Sequence, residues 1–90
     1  MIKRTAKVTN RLGLHARPAA LLVTTATKFK SQFFISKDSI RVNGKSIMGV
    51  MMLAAEMGTE LILEVDGPDE IEAMAAIAKI IESGFGEAVR

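Results

Sequence analysis

The residue of this chain best suited to group-transfer chemistry is His15, the one histidine in 90 residues. An imidazole can act as a nucleophile, and a phosphoryl group on its nitrogen is labile. Arg17, two positions later, supplies a permanently charged fork that matches phosphate oxygens two at a time. Together these residue types indicate reversible phosphoryl transfer at His15.

His15 directly precedes a predicted helix, and this position would add backbone donors to the site. Pro18 fits the first helical turn, where a missing N–H costs little, and Gly13 permits a tight or left-handed backbone before the site. If His15 is the N-cap, the amides of Ala16 and Arg17 are unpaired at the positive end of the helix, where they can bind phosphate. The alternative is a histidine that only caps the helix or lies on the surface, and these neighbours favour the phosphate site.

Two periodicities alternate along the chain and predict its secondary structure. Alternating or β-rich segments predict strands, whereas apolar residues three or four positions apart predict helices. Asn43-Gly44, a common hairpin dipeptide, is assigned to the lead into the second helix because a helical pattern follows it. The predicted strands cover residues 2–8, 32–36, 40–42 and 60–66, and the predicted helices cover 16–27, 47–53 and a segment from 71 to near Gly84.

The resulting order, βαββαβα, indicates an α+β domain in which helices pack on one face of an antiparallel sheet. At 90 residues the chain is assigned to one small domain, 1–90, with residues 84–90 predicted to be a flexible tail. The residues predicted to face the core are Ile2, Ala6 and Val8 in the first strand, Ala19, Leu22, Val23 and Ala26 in the first helix, Leu61, Leu63 and Val65 in the last strand, and Ile71, Met74, Ala78 and Ile81 in the last helix.

The composition limits the chemistry and the location of the protein. With 49% hydrophobic and 24% charged residues, it is typical of an ordinary globular protein. The absence of cysteine excludes disulfides, and with a single histidine it leaves too few ligands for a zinc site, so we expect neither a metal nor a cofactor. The N-terminus lacks the apolar run of a signal peptide, and the longest apolar stretch, 47–55, is too short to span a bilayer. We therefore expect a cytoplasmic protein without membrane insertion.

Ser46 precedes the second predicted helix, where a serine side chain can cap an unpaired amide. A phosphate at the same position is electrostatically tolerated by the helix N-terminus and adds about two negative charges without unfolding the helix. The interpretations as a cap and as a modification site are therefore compatible.

The second helix carries apolar residues on more than one side. Its methionines either fill the core or form an exposed, adaptable docking patch for several partners. Lys45 and Arg17 would surround such a patch with positive charge and guide acidic partners to it. The helical spacing predicts that Val50, Leu53 and Ala54 face the core. It predicts that Ile47, Met48 and Met51 point away from that inward face.

Two motifs carry a resemblance to a known family. Residues 12–20, LGLHARPAA, resemble the active-site motif of HPr, the histidine-containing phosphocarrier of the bacterial phosphotransferase system. Residues 45–53, KSIMGVMML, resemble the regulatory serine of that family and the short helix that follows it. Gly58-Thr59 and the segment 67–70 also fall at family positions, so the resemblance spans about residues 2–85.

The resemblance implies an HPr-like open-faced β-sandwich of four antiparallel strands with three helices on one face. It also implies that His15 accepts a phosphoryl group from enzyme I and donates it to sugar-specific IIA proteins, with Arg17 in the catalytic site and Ala16 and Arg17 binding the phosphate. Such a carrier is phosphorylated on its own histidine during sugar uptake and is not a turnover catalyst. We expect this chain to be a monomer.

The same resemblance implies that Ser46 is a regulatory phosphorylation site. Where the host makes them, an HPr kinase/phosphorylase and a catabolite-control regulator are then further partners. The docking residues that the resemblance implies are Ile47, Met48 and Met51.

Two other functions remain open. A nitrogen-branch or purely regulatory HPr paralogue is favoured by residues 9–13 and 83–87, which resemble that branch, whereas the Ser46 segment favours the sugar branch. A small nucleic-acid-binding α/β module is disfavoured because the net charge is only +2, tyrosine and tryptophan are absent, and no basic run occurs. We therefore expect no nucleic-acid partner.

Overall fold

The computed structural model describes residues 1–87 and contains the predicted order of strands and helices. The predicted lead from Asn43-Gly44 into the second helix is confirmed, since the Ser46 amide donates to the Asn43 carbonyl at 3.1 Å. The elements are β1 (Ile2–Lys7), α1 (Ala16–Thr27), β2 (Gln32–Lys37), β3 (Ile40–Asn43), α2 (Ile47–Met52), β4 (Glu60–Asp66), α3 (Glu70–Glu82) and a short 3-10 helix, Gly84–Gly86.

The strands form one four-stranded sheet in the order β1-β4-β2-β3, with every neighbouring pair antiparallel. The register aligns Ala6 with Leu61 and both Phe33 and Ile2 with Val65, so apolar side chains share one face. The helices cover that face, and the opposite face is open, with Ile62 39% exposed. The predicted α+β open-faced sandwich, with three helices on one side of the sheet, is confirmed.

The buried core contains most of the residues that the periodicity predicted, and two assignments are wrong. Ile71 is 72% exposed, because it lies at the edge of the buried stripe of α3, which is centred on Ile77 and Ile81. Ala54 is exposed, because α2 ends at Met52 and the chain turns through a positive φ of 50° at Ala54, leaving Ala55 in the buried position. The predicted core residues of α1 and β4 are all buried.

The flexible tail predicted for residues 84–90 needs correction over 84–87. Gly84–Gly86 form a 3-10 helix, and the Phe85 side chain is 3% exposed within the core. The driving force is burial of a phenyl ring, which is strongly favourable. Residues 88–90 lie outside the described part of the chain. Within residues 1–87, every helix is too short or too polar to cross a membrane.

The side chain of Asp69 links the loop after α1 to the start of α3 through hydrogen bonds. Its carboxylate accepts hydrogen bonds from the Ser31 hydroxyl, the Ser31 amide at 2.9 Å and the Lys30 amide at 2.9 Å. These donors stabilise the charged form, and the Ser31 hydroxyl contributes most, so the pKa of Asp69 is lowered from 3.8 to about 2. A carboxyl group whose pKa is lowered by folding stabilises the protein when it is ionised.

We expect the stability contributed by Asp69 to be fully present above its unfolded pKa of 3.8 and to be lost as the pH falls towards about 2. Asp69→Asn should therefore lower the free energy of unfolding at neutral pH, and the difference from wild type should shrink over this acidic range. Denaturant titrations of both proteins at several pH values measure this difference in the free energy of unfolding. Asp38→Asn, in the exposed turn after β2, controls for the loss of one carboxylate. A difference that stays constant down to about pH 2 would contradict the assignment.

Candidate functional site

His15 is the N-cap residue of α1, as the sequence predicted, with an extended backbone (φ −79°, ψ −174°). Its carbonyl accepts the first helical hydrogen bond, from the Ala19 amide at 3.0 Å, while its side chain makes no capping bond. The imidazole is therefore not used as a helix cap. Its side chain is 36% exposed, so the ring is open to another molecule.

The first turn of α1 presents backbone donors beside the imidazole. Within residues 1–87, no carbonyl or side chain accepts a hydrogen bond from the amides of Ala16 or Arg17. Pro18, which has no N–H, follows and is buried against the core. Two amides at the positive end of a helix can bind an anion, as the sequence analysis predicted.

The loop before His15 is fixed by a tight contact with the chain that leaves α2. Leu14 is buried, and its amide donates to the Ala55 carbonyl at 2.9 Å. Gly13 has a left-handed φ of 69°, and a Cβ atom there would lie 2.3 Å from the same carbonyl oxygen. Only glycine combines this backbone angle with so close an approach. The end of α2 and the start of α1 are thereby held side by side.

A carboxylate that the sequence analysis did not identify lies against the imidazole. The Nε2 atom of His15 is 3.1 Å from Oε1 and 3.0 Å from Oε2 of Glu87. The Nη1 atom of Arg17 donates to Oε2 of the same residue at 3.1 Å. The structure thus brings His15 and Arg17 together, as predicted, around a residue that had been assigned to a flexible tail.

Asn10 holds this carboxylate in place and was also missed. Its side chain is fully buried, and Nδ2 donates to the Gly13 carbonyl at 2.8 Å and to Oε1 of Glu87 at 3.0 Å. One amide group therefore joins the loop before His15 to the C-terminal segment. Asn10 and Glu87 are 77 positions apart, so no local pattern could have linked them.

The hydrogen bond with His15 is the largest cause that lowers the pKa of Glu87 below its ordinary value, and Asn10 and Arg17 act in the same direction. Partial desolvation opposes them. Glu87 is therefore ionised at neutral pH, and the site holds a negative charge between an imidazole and a guanidinium.

Ser46 is the N-cap of α2, and its Oγ accepts a hydrogen bond from the Gly49 amide at 3.1 Å. The predicted cap is confirmed, and a half-buried hydroxyl at this position stands at the exposed end of the helix.

The outer side of α2 is apolar, as predicted, while Val50 and Leu53 are buried beneath it. Met52, which was not predicted to belong to this side, is 69% exposed. We call the exposed set the α2 patch. It consists of Ile47 at 43%, Met48 at 73%, Met51 at 39% and Met52 at 69% exposure.

The predicted ring of positive charge around the α2 patch differs from the observed arrangement. The Nζ atom of Lys45 donates to the Phe29 carbonyl at 2.8 Å, so this ammonium group is directed to the chain after α1. The guanidinium of Arg17 pairs with Glu87, and the Arg17 side chain remains 62% exposed.

Among residues 1–87, no cluster of three or more histidine, cysteine, aspartate or glutamate side chains could hold a metal ion.

Comparison with known proteins places these features in context. A family model described as "PTS HPr component phosphorylation site" matches residues 2–83. A phosphocarrier protein HPr from Treponema pallidum is 52% identical over 87 residues, which cover 97% of this chain and 99% of the relative.

Solved structures show the same likeness. The crystal structure of HPr-C-His from Thermoanaerobacter tengcongensis matches with a TM-score of 0.94 and 49% identity, covering 99% of this chain and 100% of its own. An HPr dimer from the same organism matches with a TM-score of 0.77 and 50% identity, covering 97% of this chain and 100% of its own.

Proposed function

This chain belongs to the HPr family and is a phosphocarrier of the phosphotransferase system, and from that premise we propose that His15 is the residue that carries the phosphoryl group. The observation that supports this assignment most strongly is the position of the imidazole. It makes no capping bond, and it stands beside two backbone amides, those of Ala16 and Arg17, that donate to no group within residues 1–87. The imidazole could therefore attack a phosphoryl group while the two adjacent amides bind its oxygens.

We assign Arg17 to stabilising the phosphoryl group. Its guanidinium has about five N–H donors, of which one, on Nη1, contacts Glu87, so others remain for phosphate oxygens. Charge on those oxygens changes during transfer, and a fixed cation beside them lowers the energy of the transition state. Ala16 contributes only its backbone amide to this arrangement.

The carrier works with enzymes of the phosphotransferase system, and we propose enzyme I as the phosphoryl donor and IIA proteins as acceptors. Both must approach the same imidazole, so one docking surface has to serve both. The α2 patch fits this requirement, because flexible exposed methionines adapt to different partners and the Leu14–Ala55 hydrogen bond holds the end of α2 against the His15 loop. Ile47, Met48 and Met51 are the proposed docking residues.

We propose a cytoplasmic monomer, in which His15 and the α2 patch are both open to partners. The HPr dimer from T. tengcongensis is an assembled form of a related chain. Sedimentation equilibrium of this protein at micromolar concentration distinguishes the two states, and a dimer at that concentration would contradict the monomer.

We propose the sugar branch as the pathway, because the Ser46 segment resembles that of sugar carriers. The nitrogen branch is the second candidate, and one observation favours it. Asn10 and Glu87 belong to the two segments that resemble that branch, and their side chains meet beside His15. Measured rates of phosphoryl transfer to a sugar-specific IIA protein and to a nitrogen-branch IIA protein would separate the candidates, since the faster acceptor identifies the branch.

We further propose that Ser46 is phosphorylated by an HPr kinase/phosphorylase and that the modified protein binds a catabolite-control regulator. The Oγ atom caps α2 at the border of the α2 patch, so a phosphate there would add about two negative charges where enzyme I docks. These charges would repel an acidic surface on the partner, so the partner would associate more slowly.

Incubation with enzyme I and phosphoenolpyruvate should add one acid-labile phosphoryl group to the wild-type protein, as intact-mass measurement would show. His15→Ala should take up none, because the chain contains no other imidazole, and its melting temperature should stay close to that of wild type because the ring makes no capping bond. Ser46→Ala serves as a control and should be labelled normally. Full labelling of His15→Ala would remove His15 from the mechanism.

Ser46→Asp should slow phosphoryl acceptance from enzyme I by about tenfold or more at low salt, because it weakens electrostatic steering. Its free energy of unfolding should stay within about 1 kcal/mol of wild type, since aspartate also caps helices. Higher salt should narrow the rate difference, because exposed charges are screened over about 10 Å at 0.1 M.

The matched control is Ser39→Asp, which makes the same charge change in the exposed turn between β2 and β3. It should leave the rate of phosphoryl acceptance unchanged. If Ser46→Asp is phosphorylated as fast as Ser39→Asp at low salt, Ser46 is only a cap.

A further inference from the structure

All the sulfur of this chain belongs to its six methionines, because the sequence contains no cysteine. Tryptophan and tyrosine are absent as well, so the methionine thioethers are the side-chain groups that a peroxide oxidises most readily. Met74 is 5% exposed within the core, whereas the other five thioethers can be reached without unfolding. These five are Met1 at 63%, Met57 at 44%, and Met48, Met51 and Met52 of the α2 patch.

The three methionines of the α2 patch are close to one another. Met51 and Met52 lie three and four positions after Met48, so both are its neighbours on the helix surface, with about 5–6 Å between Cβ atoms. The helix beneath them is well fixed, since Val50 is buried and Ser46 caps the first turn. Half of the methionines of the chain are thus concentrated on one small exposed surface.

We propose that the α2 patch is a methionine oxidation site, at which a peroxide converts Met48 and Met52 to sulfoxides and thereby weakens the docking of phosphotransferase partners. These two residues are the most exposed methionines of the described chain, at 73% and 69%. The inference rests on the proposed function, in which enzyme I and the IIA proteins dock on this patch. Methionine sulfoxide reductases reverse this modification, so the change in docking is reversible.

The oxidation step needs only the thioether and the peroxide. The sulfur lone pair attacks one oxygen of hydrogen peroxide and forms the sulfur–oxygen bond while the oxygen–oxygen bond breaks. The second oxygen leaves as water after taking up the proton of the first. The sulfur loses two electrons and the peroxide gains them, so one peroxide is consumed for each sulfoxide formed.

A sulfoxide on the α2 patch affects docking and leaves the fold intact. In the free protein the new oxygen at Met48 or Met52 stays in water, so the core and the helix cap are unchanged. In a complex the same oxygen would be buried against an apolar partner surface without a hydrogen bond, which is unfavourable. The imidazole of His15 is not altered, so the chemical step should proceed at its usual rate once the partner has bound.

The order of oxidation is measured by treating the folded wild-type protein with hydrogen peroxide at neutral pH and mapping sulfoxides by peptide mass spectrometry. Met48 and Met52 should be oxidised well before Met74, because only the buried thioether requires the chain to open. The melting temperature should stay close to that of the untreated protein. Oxidation of Met74 as early as that of Met48 would overturn the proposal, and so would unfolding of the protein when the patch is oxidised.

The effect on docking is measured as the KM and the kcat of enzyme I with the carrier before and after oxidation. We expect the KM to rise about tenfold or more and the kcat to change little, since only the docking surface is altered. Treatment with methionine sulfoxide reductases should restore the original KM. An unchanged KM in a protein whose patch methionines are oxidised would overturn the proposal. A lower kcat at unchanged KM would overturn it too, because it would locate the damage at His15.

Two matched variants separate the patch from the other exposed methionines, each compared with its own untreated form. The variant with Met48→Leu, Met51→Leu and Met52→Leu combined keeps the patch apolar and removes its thioethers, so peroxide should leave its KM unchanged. Met57→Leu removes an exposed thioether in the turn after α2 and should lose docking as wild type does. An equal rise in KM in both variants would refute the assignment to the patch.

The same measurements distinguish this inference from the function on which it rests. A wild-type protein that accepts no phosphoryl group from enzyme I before oxidation would refute the proposed function. A wild-type protein that accepts it equally well before and after oxidation of Met48 and Met52 would refute the oxidation site alone.

Discussion

The hydrogen bond from the Leu14 amide to the Ala55 carbonyl joins two segments that are far apart in sequence, and the proposed function requires these two segments to be adjacent. One segment ends at the imidazole, and the other leaves the helix that carries the exposed α2 patch. Gly13 makes the contact possible, because any side chain there would overlap the same carbonyl oxygen. A partner that docks on α2 therefore meets His15 at a fixed distance, and a relay between two partners needs that constancy.

Local chemistry was sufficient to predict the part of the site that lies within one stretch of chain. Pro18 in the first turn and Gly13 before it determine where α1 begins, so the place of His15 followed from neighbours within a few residues. The apolar residues at every second position of β4, at 61, 63 and 65, likewise predicted its buried face. By contrast, Ile71 was misassigned because it lies at the edge of a helical stripe, where periodicity alone is ambiguous.

The remainder of the site depends on contacts between residues that are too far apart in the sequence for a local pattern to predict them. Glu87 reaches His15 across 72 positions, and the sheet and α3 bring the chain back to that point. A flexible tail was predicted for residues 84–90, yet the phenyl ring of Phe85 is buried and determines where the segment lies. The sequence feature that could have predicted this burial is a single aromatic residue, Phe85, between two glycines. It indicates burial more strongly than the glycines indicate disorder.

We propose that the phosphoryl group of the carrier is held at the N-terminus of α1 by the amides of Ala16 and Arg17. The most direct measurement compares the ¹H–¹⁵N amide spectrum before and after phosphorylation by enzyme I and phosphoenolpyruvate. New hydrogen bonds to a dianionic group should shift the amide protons of Ala16 and Arg17 strongly downfield, while the amides of β1 and β4 stay in place. Unchanged amide shifts at both residues in a phosphorylated protein would contradict this account.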